Sequence, residues 1–277
     1  MNAWWNPFSS TLEVFADTYA KSPERLKSAL IDAVRRQLRE VDLVLVLSHF
    51  PETFFAWQDE LVGQGFDAQV LRPPVHASSL PLRALPAAEV AGVESSVDET
   101  ADDGASRSDG ALVLALGEML DSERARAGME RRRVVSLIVT ERHPLPRHDR
   151  RILEFARSLP YRVRLGYFIS LQDPLVSPFL GEWTEMLLEQ WGFNEANLIT
   201  SDLVTRRLDR ARARLEKQIA QEVLCESPLD WLRRNGAGTH YANTIDKWLA
   251  TQERWRDRRE RAMESELDED ELDEDFD

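Results

Sequence analysis

The residue types best suited to chemistry stand just after an apolar segment in the middle of the chain. Arg142 and His143 follow a run that ends at Thr140, and Arg147 comes four residues after His143. Guanidinium and imidazolium groups bind phosphates and carboxylates, so these residues form a candidate nucleotide or anion site. The alternative is a solvated loop followed by a charged first helical turn, which from these residues alone is the favoured interpretation.

Other patterns that would support catalysis are missing from the sequence. A phosphate-binding loop needs glycines before a Lys-Ser or Lys-Thr pair, but no glycine precedes Gly63. The sequence contains no metalloprotease helix, no hydrolase nucleophile elbow and no His/Cys ligand cluster. Cys225 is the only cysteine, which excludes an intrachain disulfide. We therefore expect no catalytic residue, no metal site and no cofactor, while binding of ATP stays open.

The charge of the chain is concentrated in two segments. The 49 acidic and 35 basic residues give a net charge of −14. Ten acids and no base lie in Glu264–Asp277, and six acids with one arginine lie in Glu94–Asp109. The rest is nearly neutral, and its arginine clusters at 131–133 and 206–214 are interpreted as solvated faces. We expect a protein partner, attracted electrostatically by the tail, and no nucleic acid.

The elements that must position the candidate site alternate between strand and helix. Helix signals cover Pro23–Glu40, Pro51–Gly63, a segment ending near Ala127, and Arg147–Ser158; strand signals cover Leu43–Leu47, Ala68–Leu71, Ala111–Leu116, Val134–Thr140 and Leu165–Leu171. Such alternation predicts an α/β fold, a mostly parallel sheet with helices on both faces. The carboxyl ends of its strands would border the ligand crevice, where Arg142 and His143 would lie.

The domain boundaries follow from changes in pattern along the chain. We expect an N-terminal extension at 1–16, an α/β domain at 17–175 with a disordered acidic insertion at about 88–110, an all-helical C-terminal appendage at 176–263, and a disordered acidic tail at 264–277. Trp183 and Trp191 are predicted to lie in the core of the appendage. With no signal peptide and no apolar run near 20 residues, a cytoplasmic location without a transmembrane segment is expected, and peripheral membrane contact stays open.

Two stretches resemble the second nucleotide-binding domain of SecA, the bacterial preprotein translocase ATPase. They are Thr140–His143 and Tyr167–Asp173, and weaker similarity occurs at Leu43–Ser48, between Glu60 and Ala77, and from Leu203 to Glu216, so that the resemblance extends over roughly residues 17 to 220. It implies a RecA-like, P-loop NTPase-type fold of the helicase C-terminal-like kind. It also implies a connection with protein transport.

The sequence departs from the family where the family contacts ATP. The family's arginine positions, including its arginine finger, correspond here to Leu153, Phe155 and Ser158. A second nucleotide-facing loop corresponds to Leu116–Arg124 and lacks the family's residues. No counterpart of the first motor domain, which contains the phosphate-binding loop, is found. The resemblance therefore implies a degenerate, non-catalytic domain that binds or regulates a component of protein translocation or export.

Two alternatives stay open. In the first, the chain is half of a split ATPase, and a partner polypeptide supplies the phosphate-binding loop. Arg142 and Arg147 would then be the remaining phosphate-facing groups, with His143 beside them. In the second, the chain is an unrelated adaptor whose sheet is only superficially similar.

Overall fold

The computed structural model describes residues 12–82, 110–122 and 133–273. The strands are β1 (Leu12–Val14), β2 (Thr18–Ala20), β3 (Leu43–Ser48), β4 (Ala68–Val70), β5 (Ala111–Leu116), β6 (Val134–Val139), β7 (Arg162–Ser170) and β8 (Leu198–Ile199). The helices are α1 (Pro23–Glu40), α2 (Pro51–Gly63), α3 (Pro146–Ser158), α4 (Ser177–Leu180), α5 (Glu182–Gln190), α6 (Asp202–Gln218), α7 (Pro228–Gly236) and α8 (Ala242–Asp273).

The strands form one mostly parallel sheet, which confirms the predicted α/β class. Their order is β4-β5-β3-β6-β7-β2-β8, and β1 also pairs with β7. All pairings are parallel except that between β2 and β8. Every residue of β3 is buried, as expected for a central strand covered on both faces.

Successive side chains of β3 point to opposite faces of the sheet, and helices cover both faces. Val44 and Val46 pack in a core cluster with Trp57 of α2 and with α1. Leu45 and its alternate neighbours pack in a second cluster with Phe155 of α3 and with α6. The first helix begins where the sequence predicts, since Pro23 is at its first position and the Ser22 side chain accepts a hydrogen bond from the Arg25 amide at 3.3 Å.

The C-terminal part of the chain differs from the all-helical prediction in two ways. First, β8 pairs antiparallel with β2 and adds an edge strand to the sheet. Second, the helical segment that begins at residue 177 is interrupted at Gly181, whose φ of 74° is left-handed and which separates α4 from α5. Trp191 itself is 65% exposed, so its predicted place in the core is wrong. The Trp183 side chain lies outside the described residues.

Several predicted boundaries also shift. A 3₁₀ turn at Gly117–Met119 replaces the start of the helix expected to end near Ala127, and residues 123–132 lie outside the described part. Part of the expected N-terminal extension belongs to the sheet as β1. The acidic insertion lies outside the described residues except Gly110. Helix α8 continues through Asp273, where a disordered tail from 264 was expected, because glutamate and leucine favour helix.

No helix in the described ranges combines the length and the apolar character needed to span a bilayer.

Candidate functional site

The carboxyl ends of β3 and β6 meet at one edge of the sheet and bring the candidate residues there. The Ser48 and Thr140 hydroxyl oxygens, one at the end of each strand, lie 3.0 Å apart. Arg142 and His143 follow β6 directly, and Arg147 stands in the first turn of α3. The structure thus gathers the three predicted residues at one edge, but each of them contacts other groups of the chain.

Arg142 is held between two carboxylates. Its Nε donates to Asp17 Oδ2 at 3.2 Å, and its Nη1 donates to Asp149 Oδ2 at 2.8 Å. The guanidinium carbon lies 3.5 Å from the centre of the Tyr167 ring, which covers one face of the group. Burial lowers the pKa of Arg142, but Asp149 and Asp17 outweigh burial and raise it above its ordinary value. Arg142 is therefore a charged, internally paired side chain.

Asp149, in the first turn of α3, is the centre of this network. It accepts hydrogen bonds from Arg142, from Arg212 of α6, and from His49 Nε2 at 2.9 Å. Its burial raises the pKa of the carboxyl group, but Arg212 and the other donors hold it well below its usual range. Arg212 Nε also donates to the His143 carbonyl at 2.8 Å, which ties α6 to the loop after β6.

A second network surrounds Glu222, in the segment between α6 and α7. Its carboxylate lies 2.7 Å from His148 Nε2 and 3.3 Å from His143 Nε2, and it accepts from Arg147 Nη2 at 2.8 Å and Trp231 Nε1 at 2.7 Å. Burial raises the pKa of Glu222, but these donors outweigh it and bring the value to about 2. Glu222 is thus an anion that contacts both histidines.

The group formed by His143, His148 and Glu222 has the residue types of a metal site, because its ligand atoms all lie within 4.8 Å of one another. The hydrogen bonds oppose that role. The Leu145 amide donates to His143 Nδ1 at 3.0 Å, so the proton of the neutral ring is on Nε2, the atom that a metal would need. Both oxygens of Glu222 already accept from an arginine or a tryptophan.

His143 is also a poor anion ligand. Its burial lowers its pKa well below the ordinary value, and the neighbouring His49 and His148 lower it further. The rings of His143 and His148 have centroids 3.8 Å apart. A neutral imidazole in such contact contributes no positive charge to a phosphate site.

Sequence reasoning missed the role of Glu141. Its carboxylate accepts from the His49 amide at 2.7 Å, the Phe50 amide at 3.2 Å and the Thr53 hydroxyl at 2.9 Å. These donors belong to the start of α2, where Phe50 has no side chain able to cap the helix. Burial and the nearby Asp173 raise the pKa of Glu141 to about 8 despite the three hydrogen bonds. The one signal in the sequence was a Pro51 helix start without a capping residue.

A pH-dependent stability follows from Glu141. Since its folded pKa is above its unfolded value, the native state binds this proton more tightly, and stability falls as pH rises from about 4.5 through about 8. Glu141→Gln keeps an acceptor for the two amides and lacks the charge. We expect the free energy of unfolding of the variant, relative to that of the natural protein, to rise by about 3–5 kcal/mol between about pH 5 and about pH 9, as measured by urea unfolding.

The control for this experiment is Glu52→Gln, which neutralises an exposed acid on the same helix. The free energy of unfolding of this control should equal that of the natural protein at each pH of the experiment. If the free energy of unfolding had the same pH dependence in Glu141→Gln as in the natural protein, Glu141 would be ionised throughout, with its three donors offsetting burial.

The cations at this edge are matched by carboxylates of the same chain. Besides the pairs of Arg142, Arg147 and Arg212, the Arg150 guanidinium donates to Glu216 at 2.8 Å. Glu216 also accepts from the Arg147 amide at 2.9 Å. The four guanidinium groups thus form ion pairs with Asp17, Asp149, Asp209, Glu216 and Glu222.

The three positions that correspond to arginines in the resemblance to SecA hold uncharged side chains. Phe155 is completely buried in the core, and the Ser158 hydroxyl donates back to the Phe155 carbonyl at 2.7 Å. Leu153 is half-buried beside a small cavity of about 220 Å³, together with Arg142 and Tyr167. None of these three side chains can supply positive charge to a phosphate.

A larger groove, of about 550 Å³, lies away from this edge of the sheet. It is lined by residues of α5, β8 and the start of α6, with Trp191 and Leu198 exposed on its wall. The residues of the two ion-pair networks do not line it. The chemistry-bearing residues and the larger groove are therefore separate features.

Comparison with known proteins gives a limited match. No family model matches the chain. A stretch of 52 residues is 36% identical to the protein translocase subunit SecA 1 of Rhodopirellula baltica. This stretch is 19% of the chain and 4% of that relative's length, so the chain spans a small fraction of the protein that it matches. The match is a weak, partial similarity that hints at a link with protein translocation.

Proposed function

We propose that this chain is a non-catalytic, RecA-like domain related to SecA that acts by binding a protein partner in or beside protein export, in the cytoplasm. The observation that supports it is the pairing of the arginines at the strand ends with carboxylates of the same chain. Arg142 and Arg147, the two cations expected to face phosphate, face Asp17, Asp149 and Glu222 instead.

Binding of a nucleotide at this edge would require these pairs to open. Asp17, Asp149 and Glu222 have side chains exposed by only 5% to 9%, so removing their arginines would leave buried anions without partners. A triphosphate would also introduce further negative charge next to them. The site is consequently arranged to hold the sheet, the N-terminal strands and α6 together.

The split-ATPase alternative requires the same arginines to contact a phosphate group. Arg142 would have to reach a phosphate held by a partner while its side chain is 17% exposed and bound to two carboxylates. The buried Phe155 at the family's arginine-finger position adds no charge. These contacts favour the non-catalytic proposal over this alternative.

Nucleotide assays test the proposal directly. The purified chain is expected to show no saturable binding of a fluorescent ATP analogue with Mg²⁺, and no phosphate release above that of the Arg142→Ala variant. Mixing with a polypeptide that contains a phosphate-binding loop should not create activity. Hydrolysis that appears on mixing and is lost in an Arg142→Ala variant that circular dichroism shows to be folded would instead establish the split ATPase.

A second experiment identifies the partner. The tagged chain, with and without residues 264–277, is used to recover bound proteins from the cells in which it occurs. We expect a translocation or export component with the full chain, and weaker recovery without the acidic tail or at high salt. Recovery of other proteins alone would contradict the link with export.

A further inference from the structure

A small cavity of about 220 Å³ lies beside the arginine–carboxylate pairs at the carboxyl edge of the sheet. Its apolar lining comes from three elements, with Val14 following the sheet edge in β1, Leu165 in β7 and Leu153 in α3. Leu165 is buried and Leu153 is half-buried, whereas Val14 is 52% exposed. The cavity is therefore a mostly apolar space that a small molecule can enter from the β1 side.

Tyr167 of β7 adds a polar group to this lining. The residue is only 3% exposed, and its ring stacks on the Arg142 guanidinium. Its hydroxyl forms no hydrogen bond with any residue that the structure describes. A buried tyrosine hydroxyl usually has a partner, because an unpaired polar group loses its hydration without compensation. A polar atom held in the cavity would supply that partner.

The charged groups around the cavity favour an uncharged ligand. Arg142 and Arg212 line it, and both are paired with Asp149, which lines it as well. Arg150 also lines it and is paired with Glu216. An anionic ligand would have to displace one of these carboxylates, and a cationic ligand would lie close to three guanidinium groups. A neutral molecule avoids both costs.

The volume of the cavity and one of its cations indicate the size and shape of the ligand. An apolar cavity of about 150 Å³ holds benzene, so a volume near 220 Å³ corresponds to about nine non-hydrogen atoms. The Arg142 guanidinium favours an aromatic ring over an aliphatic chain, because the face of a ring attracts a cation. Burial and the nearby Asp149 raise the pKa of Tyr167 above its ordinary value, so its hydroxyl keeps its proton and can both donate and accept.

We propose that this cavity binds a small, uncharged aromatic molecule whose polar group forms a hydrogen bond with the Tyr167 hydroxyl. The ring of the ligand lies among Val14, Leu153 and Leu165 and so contacts β1, α3 and β7 together. Phenols of the size given above have the required chemistry. The inference goes beyond the proposed function and does not depend on it, because the ion pairs around the cavity stay closed when the ligand is bound.

The test uses the full chain and 4-ethylphenol, a neutral phenol of matching size, with binding measured by equilibrium dialysis at neutral pH. The comparison compound is 4-ethyltoluene, in which a methyl group replaces the hydroxyl group. We expect saturable binding of 4-ethylphenol and about five-fold weaker binding of 4-ethyltoluene, because a neutral hydrogen bond is lost. The anion 4-methylbenzoate should bind more weakly than 4-ethylphenol, since it would compete with Asp149 for the arginines.

Two variants locate the binding in this cavity. Tyr167→Phe removes the hydroxyl but keeps the ring on Arg142, so it should bind 4-ethylphenol and 4-ethyltoluene with equal affinity. Leu153→Trp fills the cavity and should abolish binding of both compounds. The matched control is Glu154→Trp, which places the same side chain on the exposed neighbour and should bind as the natural protein does. Circular dichroism checks that each variant is folded.

Three results would overturn the proposal. Absence of saturable binding of 4-ethylphenol by the natural protein would mean that only water reaches the Tyr167 hydroxyl. Binding that persists unchanged in Leu153→Trp would place the molecule elsewhere, for instance in the larger groove beside Trp191. Equal affinity of the natural protein for 4-ethylphenol and 4-ethyltoluene would show that the Tyr167 hydroxyl takes no part. If Leu153→Trp did not fold, Tyr167→Phe would still decide the last point, because it leaves the shape of the core unchanged.

Discussion

Asp149→Asn is expected to destabilise the protein by about 3–5 kcal/mol, the cost of leaving buried cations without their anion. Asp149 accepts from Arg142, Arg212 and His49, and the Arg212 side chain is only 5% exposed. Asparagine has nearly the same shape but no charge, and its amide hydrogens would point toward donors. The loss would fall on contacts that join α3, α6 and the loop after β6.

The same residue predicts an acid-sensitive stability. Because the folded pKa of Asp149 is depressed, its stabilisation is complete above its unfolded pKa near 4 and is lost as pH falls further. The free energies of unfolding of the natural protein and Asp149→Asn should therefore converge as the solution becomes strongly acidic.

Urea unfolding at neutral pH measures the main effect, and Asp209→Asn is the matched control. Asp209 also pairs with Arg212, at 3.3 Å, but its side chain is 58% exposed. Its loss should cost less than about 1 kcal/mol, as for surface ion pairs. Equal effects of the two variants would show that burial of the pair does not determine its contribution.

Phe155→Arg is the second substitution with a large expected effect. It would introduce the arginine that the resemblance to SecA implies for this position, but Phe155 is completely buried among the apolar residues of α3 and the sheet. Removal of a core phenylalanine alone costs about 3–5 kcal/mol. A guanidinium without a partner adds a further desolvation cost, so we expect the variant to unfold and to gain no ATP hydrolysis.

Two variants separate size from charge in this experiment. Phe155→Leu should cost less, because the side chain stays apolar and only part of its volume is lost. Glu154→Arg places the same new charge at an exposed neighbour on the same helix and should fold normally. Thermal melting and phosphate release are measured for all three. If Phe155→Arg folded and hydrolysed ATP, the carboxyl edge of the sheet would be a nucleotide site that lacked only an arginine at position 155. The non-catalytic proposal would then fail.

Local patterns were sufficient for most of the sheet and its first helices. Ser22 and Pro23 specify the start of α1, and the apolar run from Leu43 specifies a central strand, because capping and burial depend on a few adjacent residues. The short strand β8 was missed for the opposite reason. Leu198–Ile199 is a strand only because β2 lies beside it, and two residues give no periodicity.

The candidate site shows the same division. The sequence by itself predicted that Arg142 and His143 lie at the carboxyl edge of the sheet, because they follow a strand directly and the strands of such a fold are parallel. Only the tertiary structure decided what they do there. Asp17, Asp149 and Glu222 come from distant segments, and their pairing with the arginines depends on distances that no sequence spacing encodes. Electrostatic function depends on neighbours in space, whereas helix and strand formation depend mainly on neighbours in sequence.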